Sequence, residues 1–118
     1  MTTEELIARV RQGERIAFTD TVDAIDSAYY FTPTEFRNGL GNDVVINPAG
    51  INSGSCKIFG FAHLHGLSVA ETLALFGDYY WEDVLGHPDG DDHRNIRTFM
   101  KYGWEGIDFP EESPLAPR

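Results

Sequence analysis

A single cysteine, Cys56, excludes an internal disulfide, so stability must come from packing. Long apolar runs are missing too. None approaches the roughly 20 residues of a membrane span, and Met1 to Gln12 lacks the basic start and apolar middle of a secretory signal. Cationic side chains are scarce: Lys plus Arg number 9 against 19 Asp plus Glu, a net charge of −10. A field of that sign repels phosphate backbones and anionic lipid. Neither nucleic acid nor membrane is an expected partner, and the reducing cytosol is the expected compartment.

What is present suffices for a core. Hydrophobic residues make up 42% and aromatics 13% of 118 residues, enough burial to offset chain entropy in one domain. Thr2-Thr3-Glu4-Glu5 reads as a capping box for a helix carrying Leu6, Ile7 and Val10 to Gly13. Thr19 or Asp20 is expected to cap a second helix with Val22, Ile25 and Tyr29 on one stripe. Thr34 to Asn38 and Asp43 to Asn47 are β-prone, separated by a Gly-rich turn. Asn52 or Ser53 is expected to cap a nearly all-apolar helix ending at Gly66, which belongs at the centre.

Ser68 to Glu71 is a second capping box, for a helix stopping at Gly77. Asp78 is expected to cap a brief helix to Leu85, and Asp91 or Asp92 a last one bearing Ile96, Phe99 and Met100 to Gly103. Ile107 to Phe109 reads as a strand. The pattern predicts an α+β fold over residues 1–109: short helices around Ser53 to Gly66, with a small sheet from near Thr34, Val45 and Ile107. A purely helical fold is the alternative. Residues 110–118, with three prolines and little to bury, are expected to form a frayed tail.

Four phrases, FTPTEFRNG, AGINSGSCKIFGFAHLHGLS, TLALFGDYYWEDVL and DHRNIRTFMKYGWEGIDF, run through almost the whole chain. Together they resemble the HopJ type III effector family of small bacterial proteins. The resemblance implies an effector-type protein of the kind plant pathogens inject into host cells. It brings no catalytic residues and no cofactor. Two departures from the expected pattern are an acidic capped helix in place of a loose, Ser-rich leader, and a longer stretch from Asn38 to Asn47.

GINSGSCKIF, residues 50–59, imitates a phosphate-binding loop but lacks the G-x-x-x-x-G-K-[ST] spacing, with Ile58 where a metal-binding hydroxyl belongs. A more general anion site remains open. Asn52, Ser53, Gly54 and Ser55 stand at a helix start, where backbone N–H groups and the dipole favour a carboxylate or phosphate, and Lys57 adds charge. The competing reading is that Ser53 caps, Gly54 admits a close neighbour and Cys56 packs. Cys56 can instead act as a nucleophile with His93 as its base, since a helix N-terminus and a nearby lysine lower a thiol's pKa.

Tyr79 and Trp104, among six clustered rings, can line a pocket in which Arg97 or Lys57 grips an acidic end. The four histidines and the turn Asp89, Asp91, Asp92 lack metal-site spacing and read as a solvated, capping turn, so no metal is expected. The expected function is an effector-type protein without cofactor, binding a protein or a small acidic ligand. The rivals are a Cys56–His93 enzyme and a cytosolic interaction protein that is never exported.

Overall fold

The computed structural model describes residues 1–111 and 113–118. Among these residues, five α-helices and two antiparallel strand pairs form the α+β fold: α1 Thr3–Arg11, α2 Phe18–Ala28, β1 Tyr29–Phe31, β2 Phe36–Asn38, β3 Val45–Asn47, α3 Ser53–Leu64, α4 Val69–Ala74, α5 Arg94–Tyr102 and β4 Leu115–Pro117. Both capping boxes form, Thr2 with Glu5 on α1 and Ser68 with Glu71 on α4. In each, the hydroxyl accepts from a backbone N–H while the glutamate accepts from the cap residue.

α3 is the centre, as its composition predicts. Cys56, Ile58, Phe59, Phe61 and Ala62 are buried on it, and Phe59 meets Phe36, Phe76, Phe99 and Trp104 at ring separations of 4.9–6.5 Å.

Several local expectations are not met. α2 starts at Phe18, with Ala17 at its cap and no side-chain cap, so Thr19 and Asp20 lie inside the helix. The brief helix after Asp78 forms over Tyr79–Val84 but is π-type. α5 starts after His93 rather than at Asp91 or Asp92, because the Asp92 carboxylate is taken by Arg97 at 2.7 Å. Ile107 to Phe109 contributes only one bridge, Arg37 to Asp108, instead of a strand.

The expected frayed tail is ordered where it is described. β4 pairs with β1 (Tyr29 with Pro117, Tyr30 with Ala116, Phe31 with Leu115), and Arg118 donates its N–H to the Ala28 carbonyl at 3.0 Å. Leu115 supplies the buried anchor, and Pro114 closes on α3 at Gly60, where a Cβ would come within 2.8 Å of the proline ring. Proline is tolerated here because β4 is an edge strand.

Candidate functional site

A cleft of about 570 Å³ opens where the N-termini of α3 and α5 meet. Asn52, Gly54 and Ser55 line it at the start of α3, His93, Arg94 and Asn95 at the start of α5, with Asn52 and His93 the residues just before each helix, and Phe18 and Tyr79 form an aromatic wall. Neither helix has a side-chain cap. The first N–H groups of an uncapped helix carry the positive end of its dipole.

Both cap residues hold the left-handed backbone conformation, Asn52 at φ 55° and His93 at φ 49°, and they are the two non-glycine residues that do so among those described. Asparagine and histidine tolerate that region better than most residues. At Asn52 the conformation leaves the side chain free to reach outside its own helix: its amide donates to Asn47 Oδ1 at 2.7 Å. Asn47 and Asn95 exchange amide hydrogen bonds at 2.9 and 3.1 Å, and Asn38 donates to the Asn95 carbonyl at 2.8 Å. Asn38, Asn47 and Asn95 are buried, so this amide network fixes the start of α5 against β2, β3 and the turn before α3.

His93 is oriented from one side by Asp83, whose carboxylate lies 3.1 Å from Nε2, and from the other by Tyr79, whose ring centroid is 5.0 Å away. Gly54 has a packing role: a Cβ there would meet the Phe18 ring at 2.6 Å, so the glycine lets Phe18 press against α3. The packing reading of that glycine is thus the structural fact, and Phe18 in turn reaches Tyr79 at a ring separation of 4.9 Å.

The structure does not unite the expected catalytic pair. Cys56 is 2% exposed, outside the cleft, with its S–H directed at the Thr34 carbonyl at 3.5 Å. Burial pushes its thiol up from 9.0 to about 11, despite the partial offset from the Thr34 contact. The helix dipole loses to desolvation here, which disfavours the thiolate. Because the folded pKa is the higher one, this group's stabilising contribution is complete below pH 9 and is lost as pH rises toward 11. Iodoacetamide at pH 8 is expected to label Cys56 only at the rate of unfolding. Rapid labelling of folded protein, with an apparent thiol pKa below 9, would contradict its burial.

Other expected ligand residues are committed elsewhere. Lys57 pairs with Asp26 at 2.9 Å and stands over the Phe31 ring. Arg97 donates to the Asp92 carbonyl and carboxylate and to the His87 carbonyl at 2.7–2.9 Å, stapling the Asp-rich turn. Trp104 donates to the Leu67 carbonyl at 2.9 Å and lines a separate groove of about 480 Å³ with His63 and Phe109. Ser53 begins α3 but neither caps it nor lines the cleft.

Arg94 and Phe18 are not among the residues that the sequence singles out, and Asn95 stands out there only as a neighbour of His93. Arg94 is exposed, lines the cleft, and has no side-chain hydrogen bond or ion pair among the described residues. Asp43, held low chiefly by hydrogen bonds from Lys101 and then Tyr102, feels Arg94 least of its neighbours. Asn95 had a readable signal, standing four residues before Phe99 and hence on the buried stripe of α5.

No curated protein matches the chain. The crystal structure of VPA0580, described as a protein of unknown function, superposes with a TM-score of 0.92 at 45% sequence identity, covering 100% of this chain and 95% of that one. The family model for HopJ type III effector proteins matches residues 3–115, which take in both helix N-termini and the asparagine network. The chain belongs to the HopJ type III effector protein family.

Proposed function

We propose that this protein is an effector-type binding protein whose cleft between α3 and α5 takes the anionic end of a ligand, a carboxylate or a phosphate. One observation carries the reading: two helices without side-chain caps begin at the same cleft, beside an unpaired arginine. Backbone N–H groups and a guanidinium together match the geometry and charge of such an anion. In a chain of net charge −10, a cleft whose lining carries an arginine and no carboxylate marks a local exception. Arg94 takes the place that the sequence reading gave to Lys57 and Arg97, both of which are already paired.

A ligand that binds only the folded state stabilises it by RT ln(1 + [L]/Kd), about 2.7 kcal/mol at a hundredfold excess over Kd. Phosphate or succinate is therefore expected to raise the melting temperature above that in chloride of matched ionic strength. Arg94→Ala should remove this increment, while Lys101→Ala, at an exposed ion pair with Asp43, should leave it. An equal rise with chloride, unchanged in Arg94→Ala, would reduce the effect to screening of the net charge.

Delivery through a type III apparatus is the export route that membership of the family supports. No described helix is long and apolar enough to cross a membrane. A translocation-reporter fusion expressed in a type III-competent strain and in its secretion-deficient mutant tests export. Equal reporter signal from the two strains would count against it.

A further inference from the structure

β3 forms the open edge of its strand pair. On β2, Arg37 directs both backbone groups at Asp108, with bonds of 2.8 and 2.9 Å. Its cross-strand neighbour Ile46 therefore bonds to neither group of Arg37. In an antiparallel pair backbone groups alternate between the two sides, so the N–H and C=O of Ile46 point away from β2. Val44, two residues earlier and extended at φ −62°, ψ 125°, repeats the arrangement.

Neither residue is engaged by another backbone segment among the described residues. Their side chains are exposed, Ile46 at 57% and Val44 at 36%, with Ile51 exposed at 55% beyond the turn. Folded proteins guard such an edge by keeping it short, with a lysine or a proline, or with a covering segment. β3 is short and Pro48 stands at the next outward position, but Val44 and Ile46 themselves are apolar and uncovered.

We propose that the β3 edge docks an extended segment of a partner protein. The segment pairs its backbone with Val44 and Ile46, lays apolar side chains against Val44, Ile46 and Ile51, and brings an acidic side chain to Arg94. Backbone donors and acceptors repeating at every second residue suit an extended chain, which offers the same period.

Charge decides which chain. Val45 and Arg94 line the same cleft; of the charged groups near the edge, Asp43 is already paired with Lys101, while Arg94 has no side-chain partner among the described residues. A second copy would instead bring another −10 to a chain already at −10. The strand pairing stands by itself; the Arg94 contact rests on the anionic reading of the cleft.

The test uses a fluorescein-labelled, C-terminally amidated hexapeptide of alternating threonine and valine ending in glutamate, and its counterpart ending in glutamine. Fluorescence anisotropy with the full chain is expected to show saturable binding of both below about 1 mM, tighter for the glutamate peptide. Ile46→Pro removes an outward N–H and no bond to β2, so it should weaken both peptides at least tenfold while leaving the phosphate-induced thermal shift intact. Ile46→Lys, at the same exposed position, gives an equivalent test should the proline lower stability. Arg94→Ala should abolish only the preference for glutamate.

Binding that is sensitive to Ile46→Pro but indifferent to glutamate supports the strand pairing and overturns the Arg94 contact, whereas a missing phosphate-induced shift overturns the anionic reading of the cleft. No saturable binding, or binding unchanged in both Ile46 variants, overturns the proposal. A wild-type dimer that Ile46→Pro dissociates assigns the edge to a second copy and overturns it as well.

Discussion

Phe59→Ala is expected to cost about 3–5 kcal/mol of unfolding free energy, read from urea unfolding. Phe59 is fully buried at the middle of α3 and is the ring on which four others converge: Phe36 from β2, Phe76 from beyond α4, Phe99 from α5 and Trp104 from the turn after it. Those rings come from separate segments, so the cavity cannot be closed by one local movement. Because Phe99 lies on the helix whose start forms half the cleft, the same substitution should also loosen the cleft. A loss below about 1.5 kcal/mol would mean that the rings can repack, and that α3 does not organise the core as described.

Gly77→Ala is expected to cost about 3 kcal/mol, against about 1 kcal/mol for Gly66→Ala. Both glycines have φ +62° and follow helices, so both substitutions incur the left-handed penalty. They differ in surroundings. A Cβ at Gly66 meets nothing within 4 Å, whereas one at Gly77 lies 2.6 Å from the Phe18 nitrogen and 2.7 Å from the Ile16 carbonyl oxygen. Those are backbone atoms at the start of α2 and cannot swing aside as a side chain can. Gly77 thereby sets where α2 begins and where Phe18 enters the cleft wall. Equal costs at the two positions, measured by the same urea titration, would show that this close approach is not needed.

Much of the scaffold was legible because its signals are local. The capping boxes at Thr2 and Ser68 and the apolar run from Cys56 to Ala62 each lie within a few residues, where periodicity and cap chemistry act. The site was legible in part. Asn52, Gly54, Ser55, Tyr79 and His93 do meet in one cleft, because helix starts and clustered rings are positions where backbone donors and pocket walls arise.

What failed depends on contacts distant in sequence. Lys57 finds Asp26 31 residues away, and Cys56 finds Thr34 22 residues away, which turns two apparent site residues into packing. The asparagine network spans up to 57 residues, and the pairing of β4 with β1 joins Tyr29–Phe31 to Leu115–Pro117 across most of the chain. A proline-rich ending reads as unbound until Phe31 and Leu115 come together. Arg94 carries no signal in the sequence for a related reason: whether an arginine is free or stapled is decided by its neighbours in space, and Arg97 is the stapled one.

On the proposed reading, the uncapped starts of α3 and α5 hold an anion between them. The most direct measurement is a titration of ¹⁵N-labelled protein with phosphate, followed by amide shifts, against chloride at equal ionic strength. Saturable shifts are predicted at the amides of Gly54, Ser55, Arg94, Asn95 and Ile96, and they should disappear in Arg94→Ala. The first turn of α1, where the Thr2–Glu5 capping box already occupies two donors, should stay still as the internal control. Shifts of equal size at α1, or the same shifts with chloride, would contradict the account.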